Sequence, residues 1–289
     1  MSVHPEVPLS ATVLVLRRAG CVFAEDEARL LHEAAASSAD LASLVTRRAA
    51  GAPLEHVLGW AEFGGRRYTV DTGVFVPRRR TEFLVAQAAA LAPRRAVVVD
   101  LCCGSGALGV ALAAMSDTAE LHACDVEPAA VGCARRNVGE RGHVYEGDLF
   151  HPLPDALRGR VDVLLANVPY VPTDDVALLP AEARVHEPRV ALDGGGDGLD
   201  VMRRVAAEAP AWLAPGGSLL VEASERQRDT AAGILRAAGL IPRVLVSEEL
   251  YATVLTGTRG TPRSTPPQVT RPAAGPNGPV QVQGVSGGS

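Results

Sequence analysis

Two stretches of the chain hold residues whose types and spacing can do chemistry. In "LLANVPYVP" an apolar run ends in Asn167, Val168, Pro169 and Tyr170: an amide, a backbone carbonyl, a ring-locked residue and a phenol in succession. A planar amide nitrogen is a weak nucleophile because its lone pair is delocalised. Transfer of a group onto it requires acceptors that hold its N–H groups and aim that lone pair. The Asn167 side-chain oxygen and the Val168 carbonyl are two such acceptors, Pro169 stiffens the loop through its fixed φ, and the Tyr170 ring can pack on a planar group. These four residues are the catalytic candidates.

The second stretch, "VVVDLCCGSGALG", spaces Gly104, Gly106 and Gly109 as GxGxxG between a strand and a helix. Both dinucleotide enzymes and methyltransferases place such a turn where a ligand approaches the backbone closely. Asp100 beside the turn favours a ligand bearing an ammonium group, such as the methionine part of S-adenosylmethionine (SAM), over a pyrophosphate. Asp125 ends the next strand, where a carboxylate can accept from both ribose hydroxyls; a helix N-cap is the plainer alternative. Asp148 and Leu149 follow the third strand, placed to hold an adenine by one hydrogen bond and one apolar face. Cys102, Cys103 and Ser105 are read as small residues lining the turn. No metal site is expected, since adjacent cysteines bridge poorly and no histidine cluster accompanies them.

The elements that position these groups follow from periodicity. Strands alternate with helices through "AVVVDL", "ALGVALAAM", "ELHACD", "PAAVGCARRNV", "HVYEGD", "VDVLLAN" and "SLLVEA". That alternation predicts an α/β fold with a mostly parallel sheet and right-handed crossovers. "PRVLVSEEL" and "YATVLTG" lack an intervening helix and predict an antiparallel terminal pair at the sheet edge. Upstream, Leu9, Val13 and Leu16, then Leu30, Leu31 and Ala34, then Leu41, Leu44 and Val45 recur at helical spacing. The expected organisation is a small helical N-terminal domain over 1–60, a β-hairpin linker over 61–80 carrying Gly64-Gly65 and Asp71-Thr72-Gly73, an α/β domain over 81–257, and a disordered tail over 258–289.

Composition bounds the classes. At 289 residues, 47% hydrophobic and 21% charged, the chain is long enough for one large domain and a small one with ordinary globular balance. A net charge of −5 argues against a nucleic-acid partner. Every basic residue is Arg, a compositional bias from which no function is drawn. Five cysteines without a CxxC pair, and no apolar signal segment, point to a reducing cytoplasm; the longest apolar run is broken by Asp100 and glycines, so no membrane span is expected.

From "PLEHVLGWAEFGG", "VFVPRRRTEFLV", "DLCCGSGALGVALA", "NVPYVP" and "HEPRVALDGGGDGLDVMRRV", the sequence from Leu9 to Gly257 resembles the HemK-type protein-glutamine methyltransferases. The resemblance implies a class I SAM-dependent methyltransferase fold, Rossmann-like with a seven-stranded sheet. It implies methylation of the glutamine side-chain nitrogen in the Gly-Gly-Gln motif of peptide-chain release factors. It further implies that Cys102 to Gly106, Asp125, Leu149 and Asn167 contact SAM, and that Asn167 to Tyr170 grip the glutamine. Val168 stands where the family has proline, which keeps the carbonyl but frees φ and adds an N–H; Cys102 stands where it has glycine. Arg78, Thr81 and Glu82 also match the family, as a brace of the hairpin or a cap of the next helix; Glu187-Pro188-Arg189 matches as loop structure. His56, His143 and His186 read as surface or packing residues. The alternatives are a relative of the release-factor enzyme that methylates a glutamine of a different protein, an enzyme methylating the amino group of adenine in DNA or RNA, and a SAM-binding protein without catalysis.

Overall fold

The computed structural model describes residues 7–261. Four helices come first: α1 (Leu9–Arg18), α2 (Ala24–Ala34), α3 (Ser38–Ala49) and α4 (Leu54–Leu58). Their apolar faces meet in a core of their own around Leu16, Ala28, Leu31, Leu41 and Val57. The Ser37 hydroxyl caps α3 by accepting from the Asp40 amide, and Gly59 ends α4 at φ 79°.

A hairpin follows, β1 (Trp60–Phe63) and β2 (Arg66–Thr69), joined by Gly64-Gly65 with both φ positive, as a two-residue hairpin loop demands. Contrary to the sequence reading, "VFVP" after Asp71-Thr72-Gly73 forms no strand. The Val76 amide donates to the Glu187 side chain instead of a ladder partner, and Pro77 has no N–H to offer. The freed segment brings Phe75 and Pro77 to the main cleft.

The α/β unit runs α5 (Glu82–Leu91), β3 (Ala96–Leu101), α6 (Ala107–Met115), β4 (Thr118–Asp125), α7 (Pro128–Val138), β5 (His143–Glu146), β6 (Val161–Ala166), α8 (Ala181–His186), α9 (Asp200–Trp212), β7 (Leu213–Ala223), α10 (Arg228–Ala237), β8 (Leu240–Ser247) and β9 (Ala252–Arg259). Seven strands form one sheet in the order β5-β4-β3-β6-β7-β9-β8, parallel except where β9 pairs with β7 and β8. β9 thus lies inside the sheet and only β8 forms the edge, a refinement of the expected terminal pair. β3 and β6 are apolar apart from Asp100 and Asp162 because helices cover both faces. Phe150, Trp212 and Leu235 fill one face; Phe63, Leu84 and Leu112 fill the other.

β9 extends to Arg259, with Thr258 opposite Ser218 and Arg259 opposite Leu240, so strand pairing continues two residues past the point where the sequence reading begins a tail. Residues 262–289 of that segment lie outside those described. Among the described residues no helix is long and apolar enough to cross a membrane. The chain leaves β3 toward β4 on one side and returns through β6 on the other, opening a crevice at the carboxyl ends of β3 and β6. Open α/β sheets bind ligands at such a switch point.

Candidate active site

A cleft occupies that crevice. Cys102, Cys103, Gly104 and Ser105 form its floor after β3, Asp125 and Glu127 one wall after β4, Asp148 and Leu149 the next after β5, and Asn167 and Pro169 the far side after β6. The GxGxxG turn works through the backbone. Gly104 adopts φ 54° and its amide donates to Asp125 Oδ2 at 2.8 Å, while the Glu127 amide donates to Oδ1 at 3.0 Å. Burial raises the Asp125 carboxyl from its ordinary range, and these amides oppose the rise. Two amide bonds leave lone pairs on both oxygens, so Asp125 stays able to accept from a ligand diol.

Asp100 and Gly106 sit behind this floor rather than on it. Asp100, 1% exposed, accepts from the Gly109 amide at 2.8 Å through Oδ2, and its Oδ1 has no partner. Burial pushes its carboxyl up to about 7. A side chain at Gly109 would reach Asp100 and Leu121 at about 3 Å, which explains that glycine. Gly106 packs on α7, where an added Cβ would come within 3.2 Å of Ala134.

Cys102, Cys103 and Cys124 line the cleft; burial raises the thiols of Cys102, Cys103 and the nearby core residue Cys133 above the ordinary range and takes Cys124 up to about 12. Cys102 and Leu149 have φ of 53° and 49°, the left-handed region that favours glycine. Arg204 of α9, which sequence reasoning missed, pairs with Asp148 at the cleft rim.

A second cavity adjoins the first, and Phe75, Asn167 and Ala191 border both. Val168, Tyr170, Arg78, Arg80 and Glu182 also line it. The Asn167 side-chain oxygen is buried without a partner at this junction. A buried acceptor left open is costly unless something else fills it. The glycine-rich run after Asp193 buttresses the loop: an added Cβ on Gly194 would lie 2.6 Å from the Pro169 carbonyl, and one on Gly198 would lie 2.3 Å from that of Tyr170. Gln227 Nε2 donates to the same Tyr170 carbonyl at 2.9 Å.

Each charged side chain lining the second cavity has an oppositely charged partner within the protein, Glu182 sharing Arg48 with Glu27. Arg78 bonds both Glu187 carboxylate oxygens at 2.6 Å, Arg80 Nε bonds Glu222 at 2.8 Å, and Glu182 pairs with Arg48 of α3, itself held by Glu27 at 2.6 Å. Thr81 and Glu82 join the same bracing: the Thr81 hydroxyl donates to Glu222 and Glu82 accepts from the Gly64 amide. His56 is a packing residue, its Nε2 2.8 Å from the Val74 carbonyl, and His143 stacks on His122.

Residues 69–205 match the model of the methyltransferase small domain. The release factor glutamine methyltransferase of Geobacter sulfurreducens is 42% identical over 199 residues, 68% of this chain and 69% of the relative. That of Cereibacter sphaeroides is 40% identical over 219 residues, 74% and 76% of the two chains. This chain belongs to the release factor glutamine methyltransferase family. Among solved structures, a Thermus thermophilus 16S rRNA N2 G1207 methyltransferase in complex with AdoMet and guanosine aligns over 69% of this chain and 49% of that one, with TM-score 0.49 and 21% identity. Within the family frame, Phe75, Ala191 and Arg204 are the site residues that motif reading passed over. Phe75 and Ala191 sit in "VFVP" and "PRVALDGGG", stretches that carried the resemblance but showed no chemistry of their own.

Proposed function

We propose that this enzyme transfers a methyl group from SAM to the side-chain nitrogen of a glutamine in a peptide-chain release factor, at its Gly-Gly-Gln motif. The observation that carries the reading is the open Asn167 acceptor at the junction of the two cavities. SAM is the family's methyl donor and fits the first cleft. The backbone of Cys102–Gly106, the Asp125 carboxylate, Asp148 and the apolar face of Leu149 would hold it. Bound there, SAM supplies an electrophilic methyl, so that a C–N bond forms as the S–C bond breaks and the amide nitrogen gives up a proton.

The chain's own part is to orient the acceptor. Asn167 Oδ1 and the Val168 carbonyl accept the two N–H groups of the glutamine, which turns the nitrogen lone pair toward the first cleft. Phe75 and Tyr170 close the sides and keep water off the nitrogen. Positioning of this kind supplies much of a methyl transfer's rate, since the reacting atoms must approach to ~3–3.5 Å. The second cavity has both of its arginines paired with buried glutamates and so offers no free cation to a phosphate backbone. That lack of a free cation disfavours the adenine-methylating alternative. A translation factor as substrate supports a cytoplasmic location.

The test incubates purified protein with radiolabelled SAM and a recombinant release factor, then maps the label by mass spectrometry. Label on the motif glutamine, lost when that glutamine is replaced by alanine, is the expected result. Label on an oligonucleotide and none on the factor would overturn it, as would SAM binding without turnover.

A further inference from the structure

Glu222 is out of place by composition. It lies in β7 between buried Val221 and Ala223 and is itself 3% exposed, where an unpaired carboxylate is strongly destabilising. Three donors converge on it. Arg80 Nε and the Tyr170 hydroxyl both donate to Oε1 at 2.8 Å, and the Thr81 hydroxyl donates to Oε2 at 2.7 Å. Arg80 also donates to the Tyr170 hydroxyl, which closes a triangle of Glu222, Arg80 and Tyr170. Burial, and next the Glu222 charge, raise the Tyr170 phenol above its ordinary range, so it remains a donor.

Tyr170 and Arg80 line the second cavity, whereas Glu222 does not. Tyr170 is therefore fixed at both ends. Gln227 holds its backbone carbonyl, and the triangle holds its ring by the hydroxyl. A tyrosine needed only for its apolar face would not require an ion pair on a buried carboxylate to set its ring angle.

We propose that Glu222 is a positioning residue for methyl transfer. It acts through the Tyr170 hydroxyl and the Arg80 guanidinium to fix the Tyr170 ring as the wall on which the acceptor carboxamide packs, and it makes no contact with substrate. The inference rests on the proposed function and deepens it. Only a carboxylate can accept from both donors on one oxygen and from Thr81 on the other while balancing the Arg80 charge. An amide at the same place presents an N–H₂ group toward one of these donors.

The experiment measures kcat, both KM values and melting temperature for wild type, Glu222→Gln, Tyr170→Phe, Arg80→Gln and the two double variants with Tyr170→Phe, using release factor and labelled SAM. Each single variant is expected to lower kcat about tenfold with KM for SAM unchanged, because losing an anchored orientation raises the barrier without touching the cofactor cleft. Each double variant is expected to fall no further than its worse parent, since both changes undo one device. Arg80 is half-exposed, so its variant keeps the test decisive if Glu222→Gln fails to fold. Double variants that lose about a hundredfold, the product of the singles, overturn the inference, as does a Glu222→Gln enzyme with wild-type kcat and only a lowered melting temperature. A wild type that transfers no methyl to the factor overturns the proposed function and this inference with it. An active wild type with additive variants overturns the inference alone.

Discussion

On the cofactor side of the cleft the wall is held by backbone amides of neighbouring strand ends: the Cys103 amide on the Cys124 carbonyl, the Gly147 amide on the Asp125 carbonyl, and the Gly104 amide on the adjacent Asp125 carboxylate. On the acceptor side it is held by side chains far apart in sequence: Arg78 with Glu187, Arg80 with Glu222, Gln227 with the Tyr170 carbonyl. Apart from Asp125, the first construction tolerates a change of side chain and resists a change of backbone conformation. In the second, single side chains carry the geometry. The two halves should accordingly respond to substitution in different currencies, binding and backbone strain on one side, turnover on the other.

The largest effect is expected at the junction. Asn167→Ala removes the open acceptor, leaves one glutamine N–H unpaired in a dry site, and lets the nitrogen drift from the methyl. Turnover should fall about a thousandfold, roughly 4 kcal/mol of barrier, while SAM affinity changes by less than about tenfold. Single-turnover kinetics beside calorimetric titration checks this. A loss of affinity equal to the loss of rate would erase the division between the two halves.

That division also explains what could be read from the sequence. The turn at Gly104, Asp125 after β4 and Asn167 after β6 are motif residues at strand ends, and a strand–turn–helix pattern places them without knowledge of packing. The sheet and its helices were legible for the same reason, since "ALGVALAAM" and "PAAVGCARRNV" coincide with α6 and α7. Glu222 reads in sequence as a flaw in a buried strand, because its partners lie about 140 and 52 residues away. The α9 helix, with Arg204, was read only as part of a family-like stretch, and Asp100 was placed on the ligand side when its carboxylate in fact reaches under the α6 N-terminus to Gly109. Local pattern says where a strand ends; it does not say which side of the turn a side chain takes.

Asp100 gives the next effect, on stability rather than turnover. Its carboxyl titrates at about 7 folded against 3.8 unfolded, so between these values the folded chain holds a proton that the unfolded chain has lost. Its contribution to stability is therefore present at low pH and lost as pH rises through that window. Asp100→Asn abolishes the titration. The stability of the variant relative to wild type should rise by up to roughly 4 kcal/mol between about pH 4 and pH 8 in urea unfolding. A difference that stays flat across the window would show that Asp100 is ionised in the fold.

A smaller change is expected at Asp125. Asp125→Ala removes acceptors for the ligand diol together with two amide bonds of the turn. SAM binding should weaken by roughly 1–3 kcal/mol by calorimetry, with KM for the release factor unchanged. A variant that loses factor binding as well would mean that the cofactor wall also shapes the acceptor cavity.

The smallest effect sharpens the comparison most, because it isolates backbone conformation at one residue. Cys102 stands in the left-handed region, φ 53°, where the family has glycine, and its side chain packs against the core beneath the sheet. Replacement by alanine removes the sulfur and keeps the conformational cost; replacement by glycine removes the same sulfur and relieves that cost. A left-handed residue with a Cβ costs ~1–2 kcal/mol, and glycine's extra unfolded entropy returns ~0.5–1 kcal/mol of this. Cys102→Gly should therefore exceed Cys102→Ala in stability by about 0.5–1 kcal/mol, a melting difference of ~1–4 °C. In an ordinary helix or strand the order of the two variants is the reverse. Thermal melts showing alanine above glycine would mean that the turn relaxes out of the left-handed region, and that the cofactor wall is less fixed by its backbone than the acceptor wall is by its ion pairs.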